Sequence, residues 1–144
     1  MASKPSLVLK RRIKAAPEKV YEAWTQPEQM TRWWGVTPYS QKKPIAETDL
    51  RVGGRFRVQF WGKDEELHAV SGVYREVVPN RRLLFSWAWQ STPERESQVT
   101  LDLNPLTDGT ILTLTHEQFF SDKARDDHRV GWEAALDNLE KALA

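Results

Sequence analysis

Between Arg55 and His116 the chain keeps to a two-residue period, and after Ser121 it switches to a helical one. No other feature restricts the fold as much. Phe56, Val58 and Phe60 alternate with Arg55, Arg57 and Gln59. Successive side chains of a strand point to opposite faces, so this spacing collects the apolar set on one side and leaves the polar set in water. Residues 67 to 78 read as the next strand. Leu83, Phe85, Trp87 and Trp89 share one parity, as do Val99, Leu101 and Leu103, and then Leu112, Leu114 and His116. The returns between them are short and polar: Gly62-Lys63-Asp64-Glu65, Pro79-Asn80 and Thr107-Asp108-Gly109. Strands returned so closely predict an antiparallel meander. Beyond it, Ser121 is placed to cap a helix, and His128, Trp132, Ala135, Leu136, Leu139 and Leu143 fall within one stripe.

The first third is mixed. Residues 7 to 14 read as a first strand. Pro17 suits the first helical position, where its missing N–H is not needed, and Glu18 suits the positive helix start. Val20, Ala23 and Trp24 then follow helical spacing, and Pro27, Glu28, Met30, Trp33 and Trp34 repeat the pattern. Two short helices in tandem are expected, ending near Gly35. Residues 36 to 43, with Pro38, Tyr39 and Ser40, read as a loop. A short strand over Ile45 to Thr48 and a turn through Gly53-Gly54 lead into the meander.

Each strand offers one apolar face and the last helix one apolar stripe, so the economical packing lays that helix across the concave side of a bent sheet. The expectation is an α+β fold in one domain over 1–144. A curved antiparallel sheet of about six or seven strands wraps a long C-terminal helix, with two short helices after the first strand. A chain of 144 residues can bury roughly 68–70% of its unfolded surface and needs no staple. A strongly bent sheet closed by one helix is hard to fill with side chains alone, and such junctions are typical small-molecule sites.

Composition removes several function classes. There is no cysteine, so disulfides, thiolate nucleophiles and cysteine metal sites are excluded. Lys and Arg number 21 against 20 Asp and Glu, a balance unlike that of a nucleic-acid binder. The one dense basic stretch, Lys10-Arg11-Arg12 with Lys14, lies in a predicted strand. No apolar run reaches the ~20 residues a membrane helix needs, and residues 1–6 lack the apolar core of a secretory signal, so a cytoplasmic location is expected. Seven tryptophans, five phenylalanines and three tyrosines supply an unusual load of large rings. They read either as a tryptophan-rich core or as the wall of a pocket.

The chain resembles the START-like, or SRPBCC, superfamily with its helix-grip fold. Within it, the chain is similar to the branch named after the C-terminal domain of the heat-shock protein 90 ATPase activator. The residues that carry the likeness are Ala16-Pro17-x-x-Val20-Tyr21-x-Ala23-Trp24-Thr25-x-Pro27-Glu28, Arg32-Trp33-Trp34 and Asp49-Leu50-Arg51-Val52-Gly53-Gly54-Arg55-Phe56. Gly72-x-Tyr74-x-Glu76-Val77-x-Pro79, Leu83-x-Phe85-x-Trp87 and Ser97-x-Val99-Thr100 follow. Gly109-Thr110-x-Leu112-Thr113-Leu114-Thr115-His116-Glu117 and Gly131-Trp132 complete it. The resemblance implies the helix-grip fold with a void between sheet and helix. It spans lipid and hormone carriers, aromatase/cyclases and co-chaperone parts, among which fold does not choose.

The expected function is non-catalytic binding of a small hydrophobic or aromatic molecule in that cavity. The candidate ligand-binding residues are Trp33, Trp34, Phe56, Phe60, Phe85, Trp87, Trp89, His116, Trp132 and Leu136. His116 reads either as a hydrogen-bonded core group or as a polar anchor for the ligand. Trp33 and Trp34 read either as core plugs or as cavity rim. Glu117 is adjacent to His116 and therefore on the opposite face. His68 and His128 show no metal-ligand spacing with His116, so no metal is expected, nor any cofactor. Gly53-Gly54 lacks the Lys-Ser/Thr of a P-loop, and no Gly-x-Ser-x-Gly elbow is present. Arg51 and Arg55 are expected to be solvated or structural, pairing with Asp49, or else to contribute to the cavity mouth. The alternatives are a protein-interaction module with a chaperone or other protein as partner, and a cyclase- or hydrolase-like enzyme using His116 and Glu76. No nucleic-acid partner and no membrane span are expected, and the chain is taken as a monomer or homodimer.

Overall fold

The computed structural model describes residues 4–144 except Tyr39, and the backbone alone of Asp64. The expectations for residues 1–3 and for Tyr39 lie outside the described residues. The chain runs β1 (Leu7–Ile13), α1 (Pro17–Thr25), α2 (Pro27–Met30), β2 (Ile45–Thr48) and β3 (Arg55–Trp61). After a 3-10 turn at Lys63–Glu65 come β4 (Leu67–Val78), β5 (Arg82–Trp89), β6 (Ser97–Leu106), β7 (Gly109–Glu117) and α3 (Asp122–Leu143). The strands form one seven-stranded antiparallel sheet in the order β1-β7-β6-β5-β4-β3-β2. From β2 to β7 this is the expected meander; only β1 joins from a distance, pairing Leu7 with His116 and Ile13 with Thr110.

Local chemistry sets the helix ends. Pro17 opens α1, and the Ser121 hydroxyl accepts the Ala124 N–H to cap α3. α2 is shorter than the spacing predicts: the regular helix stops at Met30, and the chain continues as hydrogen-bonded turns to Gly35. Trp33 and Trp34 both donate their backbone N–H to the Met30 carbonyl, which keeps their side chains near one another. Gly35 has φ +76°, and a Cβ there would lie 2.6 Å from the Phe60 ring. Only glycine lets this loop lie flat on that ring.

The sheet bends where β4 departs from regular pairing. A bulge falls between Tyr74 and Glu76, and the Ser86 hydroxyl accepts the Val73 N–H in place of a ladder carbonyl. Gly72 sits beside it, where any Cβ would collide with the Ser86 carbonyl oxygen and press on Phe56. β4 is thus brought close onto β5 at this point.

The alternating positions separate as the period requires. Phe56, Val58, Leu83, Phe85, Val99, Leu101, Leu103, Leu112 and Leu114 are all buried against the helices. α3 contributes Trp132, Leu136 and Leu139 to the same core. Polar ties hold α3 in place: Arg11 of β1 bonds Asp137 at 2.7 Å and Glu140 at 2.9 Å. Arg32 reaches the Ala142 carbonyl, and the Asn138 amide donates to the carbonyls of Trp33 and Val36. No helix among the described residues is long and apolar enough to cross a membrane.

Candidate functional site

Six of the seven tryptophans divide into two groups; Trp61, on β3, instead lies under the Lys42 ammonium. Trp24 and Trp33 are core: their rings sit 4.7 Å apart, and the Trp33 indole N–H donates to the Ala23 carbonyl at 2.8 Å. Trp34, Trp87 and Trp132 form the next layer, with Trp34 and Trp87 stacked 5.9 Å apart at 8° and Trp87 and Trp132 5.0 Å apart. Trp89 continues it outward, edge-on to Trp87 and to Phe60.

Of these rings, Trp34, Trp87 and Trp89 form one wall of a cleft of about 560 Å³. Strands β3 and β5 supply Phe60, Trp87 and Trp89, and the turn after α2 supplies Trp34 to Thr37. The facing wall is one stripe of α3 that includes Ala124, His128, Gly131, Trp132, Ala135 and Asn138. Three of these six carry little or no side chain, so the helix can approach without filling the space. Phe119, Phe120 and Ser121 border the end where α3 begins, together with Thr92 and Arg95 of the β5–β6 turn.

Two histidines hold these rings, His116 behind the wall and His128 on the lining stripe of α3, and their protonation follows from their partners. His116 is fully buried; its Nδ1 accepts the Trp132 indole N–H at 3.0 Å, so its proton is on Nε2, which donates to the Ser97 hydroxyl at 2.7 Å. His128 is the reverse tautomer. Its Nδ1 lies 2.7 Å from the Ala124 carbonyl, which only accepts, so Nδ1 carries the proton. Its Nε2 then accepts from the indoles of Trp87 at 3.2 Å and Trp89 at 2.9 Å. Burial holds the His116 pKa well below its ordinary value, and the neighbouring His128 lowers it further. Burial also lowers that of His128, against opposing effects from the Ala124 carbonyl and Asp127. Both rings are neutral at pH 7, and every ring nitrogen is already engaged.

The cleft therefore gathers Trp34, Phe60, Trp87, Trp89 and Trp132 from the residues the sequence singles out. The other five lie elsewhere. Trp33, Phe56, Phe85 and Leu136 are sealed in the core: Phe56 and Phe85 pack edge-to-face 5.0 Å apart, and Leu136 faces the sheet beneath the helix. Inward parity places a side chain on the concave face but not at the opening, because α3 covers part of that face. His116 stands one layer back, orienting Trp132. Glu76 and His116 form no pair, since the Glu76 carboxylate bonds Arg82 at 3.2 Å at the surface. Arg51 pairs with Asp49 at 3.0 Å. Among the described residues no three imidazole or carboxylate groups converge to hold a metal ion.

Sequence reasoning overlooked the Phe119-Phe120 pair, Arg95 and the bonds of His128 to Trp87 and Trp89. The only signal for His128 is its place one helical turn before Trp132, in the stripe that faces the sheet. Arg95 carries no signal, because it lies in a polar turn among like residues.

Solved structures share this architecture. A Chromobacterium violaceum protein, CV1439, superposes with a TM-score of 0.81 at 24% identity, covering 96% of this chain and 97% of that one; at that identity the likeness is one of fold. CalU16 from Micromonospora echinospora is 31% identical with a TM-score of 0.73, covering 96% of this chain and 76% of its own. A Rhizobium leguminosarum protein is 30% identical with a TM-score of 0.79, covering 96% and 93%. No curated protein matches. A helix-grip sheet, a long closing helix and a family model that spans residues 14–144 agree, and the chain belongs to the family described as activator of Hsp90 ATPase homolog 1-like protein.

Proposed function

We propose that the chain binds a small hydrophobic or aromatic molecule in the cleft between β5 and α3 and performs no chemistry on it. The observation that supports this most is the pairing of ring-lined open space with histidines whose nitrogens are all occupied. A volume of about 560 Å³ suits a small organic molecule, and the wall is mostly aromatic with a few hydroxyl and amide groups, as in typical ligand sites. General acid–base catalysis needs a titrating group within reach of the substrate with a free lone pair or proton. His116 and His128 offer neither.

Gly131 makes the test selective. It borders the cleft, and a Cβ built there meets nothing within 4 Å. Gly131→Leu is expected to keep the fold, since leucine favours a mid-helix position over glycine by roughly 0.5–1 kcal/mol. Its side chain would occupy the cleft. N-phenyl-1-naphthylamine, a neutral aromatic probe, is expected to saturate the wild-type chain with tryptophan quenching. In Gly131→Leu its affinity should fall by about tenfold or more, the loss of burial of a ring's worth of surface. Absence of saturable binding to the wild type, or equal binding to the variant, would overturn the proposal.

The family description favours a second reading, a protein-interaction module acting on a chaperone. Stimulation of a purified chaperone ATPase by the wild-type chain and equally by Gly131→Leu would support it over the ligand-binding reading.

A further inference from the structure

We infer that the ligand of this cleft is an aromatic anion, its rings against Trp34, Trp87 and Trp89 and its acidic group at the Phe120 end beside Arg95. The inference rests on the ligand-binding reading above and adds the charge and orientation of the guest.

The charges around the cleft carry it. Three acidic residues open α3 or follow soon after, yet all are paired among the described residues. Asp122 and Asp126 bond Arg125 at 3.6 and 3.0 Å, and Asp127 bonds Lys123 at 3.0 Å. Of the charged residues that line the cleft, Asp127 and Lys123 therefore neutralise one another. Arg95 remains. Among the described residues no carboxylate lies within ion-pair distance of it, while its neighbour Glu96 is taken by Arg75 at 3.0 Å. Its guanidinium is instead held 4.1 Å over the Phe120 ring. That ring is 64% exposed, so the stacked pair lies open to the cleft mouth. A planar cation laid on an aromatic face keeps its edge donors free, and those donors match the two oxygens of a carboxylate or sulfonate.

Shape agrees with charge. The α3 stripe from Ala124 to Asn138 extends for about 21 Å at 1.5 Å per residue. Arg95 and the Ser121 hydroxyl stand at one end of that length, the Asn138 amide closes the other, and the tryptophan wall lies between them. A molecule with rings and one acidic end fits in a single direction.

Two probes with the same rings separate the inference from its foundation. 1-Anilinonaphthalene-8-sulfonate differs from N-phenyl-1-naphthylamine only by its sulfonate. Both are titrated against the full chain and against Arg95→Gln, a change at the surface that leaves the core untouched. The expected result is that Arg95→Gln weakens the sulfonate probe by about tenfold, the value of a charge-assisted hydrogen bond, and leaves the neutral probe within about twofold. The sulfonate probe alone should weaken with added salt. If Arg95→Gln leaves both affinities unchanged, or lowers both equally, the anionic end is wrong while the cleft still binds rings. If neither probe saturates the wild type, the ligand-binding reading falls and this inference with it.

Discussion

Trp132→Ala is expected to remove most of the stability of this fold. Trp132 bridges the two tryptophan layers, stacked 5.8 Å from Trp24 and tilted 5.0 Å from Trp87. Deleting a buried tryptophan side chain costs about 3–5 kcal/mol through lost burial and the cavity left behind. The same change strips His116 Nδ1 of its indole donor, at a further cost of up to ~1–3 kcal/mol. Against a typical net stability of about 5–15 kcal/mol, the sum is close to unfolding. Urea denaturation checks it. Trp132→Phe, which keeps a ring but not the indole N–H, should fall between wild type and alanine; a Trp132→Ala midpoint near that of wild type would show that the ring layers are not cohesive.

Acid should be the second large perturbation. Both His116 and His128 have folded-state pKa values depressed below 6.5, with burial the leading cause. The unfolded chain therefore takes up these protons first. Their contribution is fully present above about pH 6.5 and is lost as the pH falls through that value towards the folded pKa values. Each proton bound only by the unfolded state lowers stability by about 1.4 kcal/mol per pH unit, so two histidines give a slope of up to about 2.7. The physical obstacle is direct: a proton on His128 Nε2 would face the N–H groups of Trp87 and Trp89. A proton on His116 Nδ1 would face that of Trp132. Stability measured by urea titration between pH 7 and 5.5 should show this fall. His128→Gln, whose amide oxygen can still accept from an indole, should reduce the slope. A flat profile across that interval would contradict both tautomer assignments.

The same network links stability to the site. His128 fixes Trp87 and Trp89 against α3, and His116, buried away from the cleft, fixes Trp132, so the rings that face the cleft are held in place by hydrogen bonds. A rigid aromatic wall loses little freedom when a ligand arrives, which favours binding without new contacts.

Much of the fold is legible in residue order because its physical causes are local. A two-residue period requires a strand with distinct faces, whatever it packs on, and short polar turns require the next strand to return alongside. Phe56 with Val58, and Leu112 with Leu114, were inward on that ground alone, and Ser121 capped α3 because its hydroxyl reaches Ala124 three residues on. The short α2 departs from the pattern because Trp33 and Trp34 are placed by their burial and by the bond to Ala23, and not by helical propensity.

What only the tertiary structure decided is depth and opening. Parity assigns a ring to the concave face but carries no information about where α3 crosses it, so Phe56 and Phe85 could not be told from Trp87 and Trp89. The tautomers of His116 and His128 depend on indoles 16, 39 and 41 residues away, contacts that exist only after the sheet has curled onto the helix. Arg95 was indistinguishable from any solvated turn residue until Phe120 was found beneath it. Local periodicity is a property of neighbours in the chain. A cleft is a property of surfaces that meet from far apart in it, and its shape follows from the packing of one helix against a bent sheet.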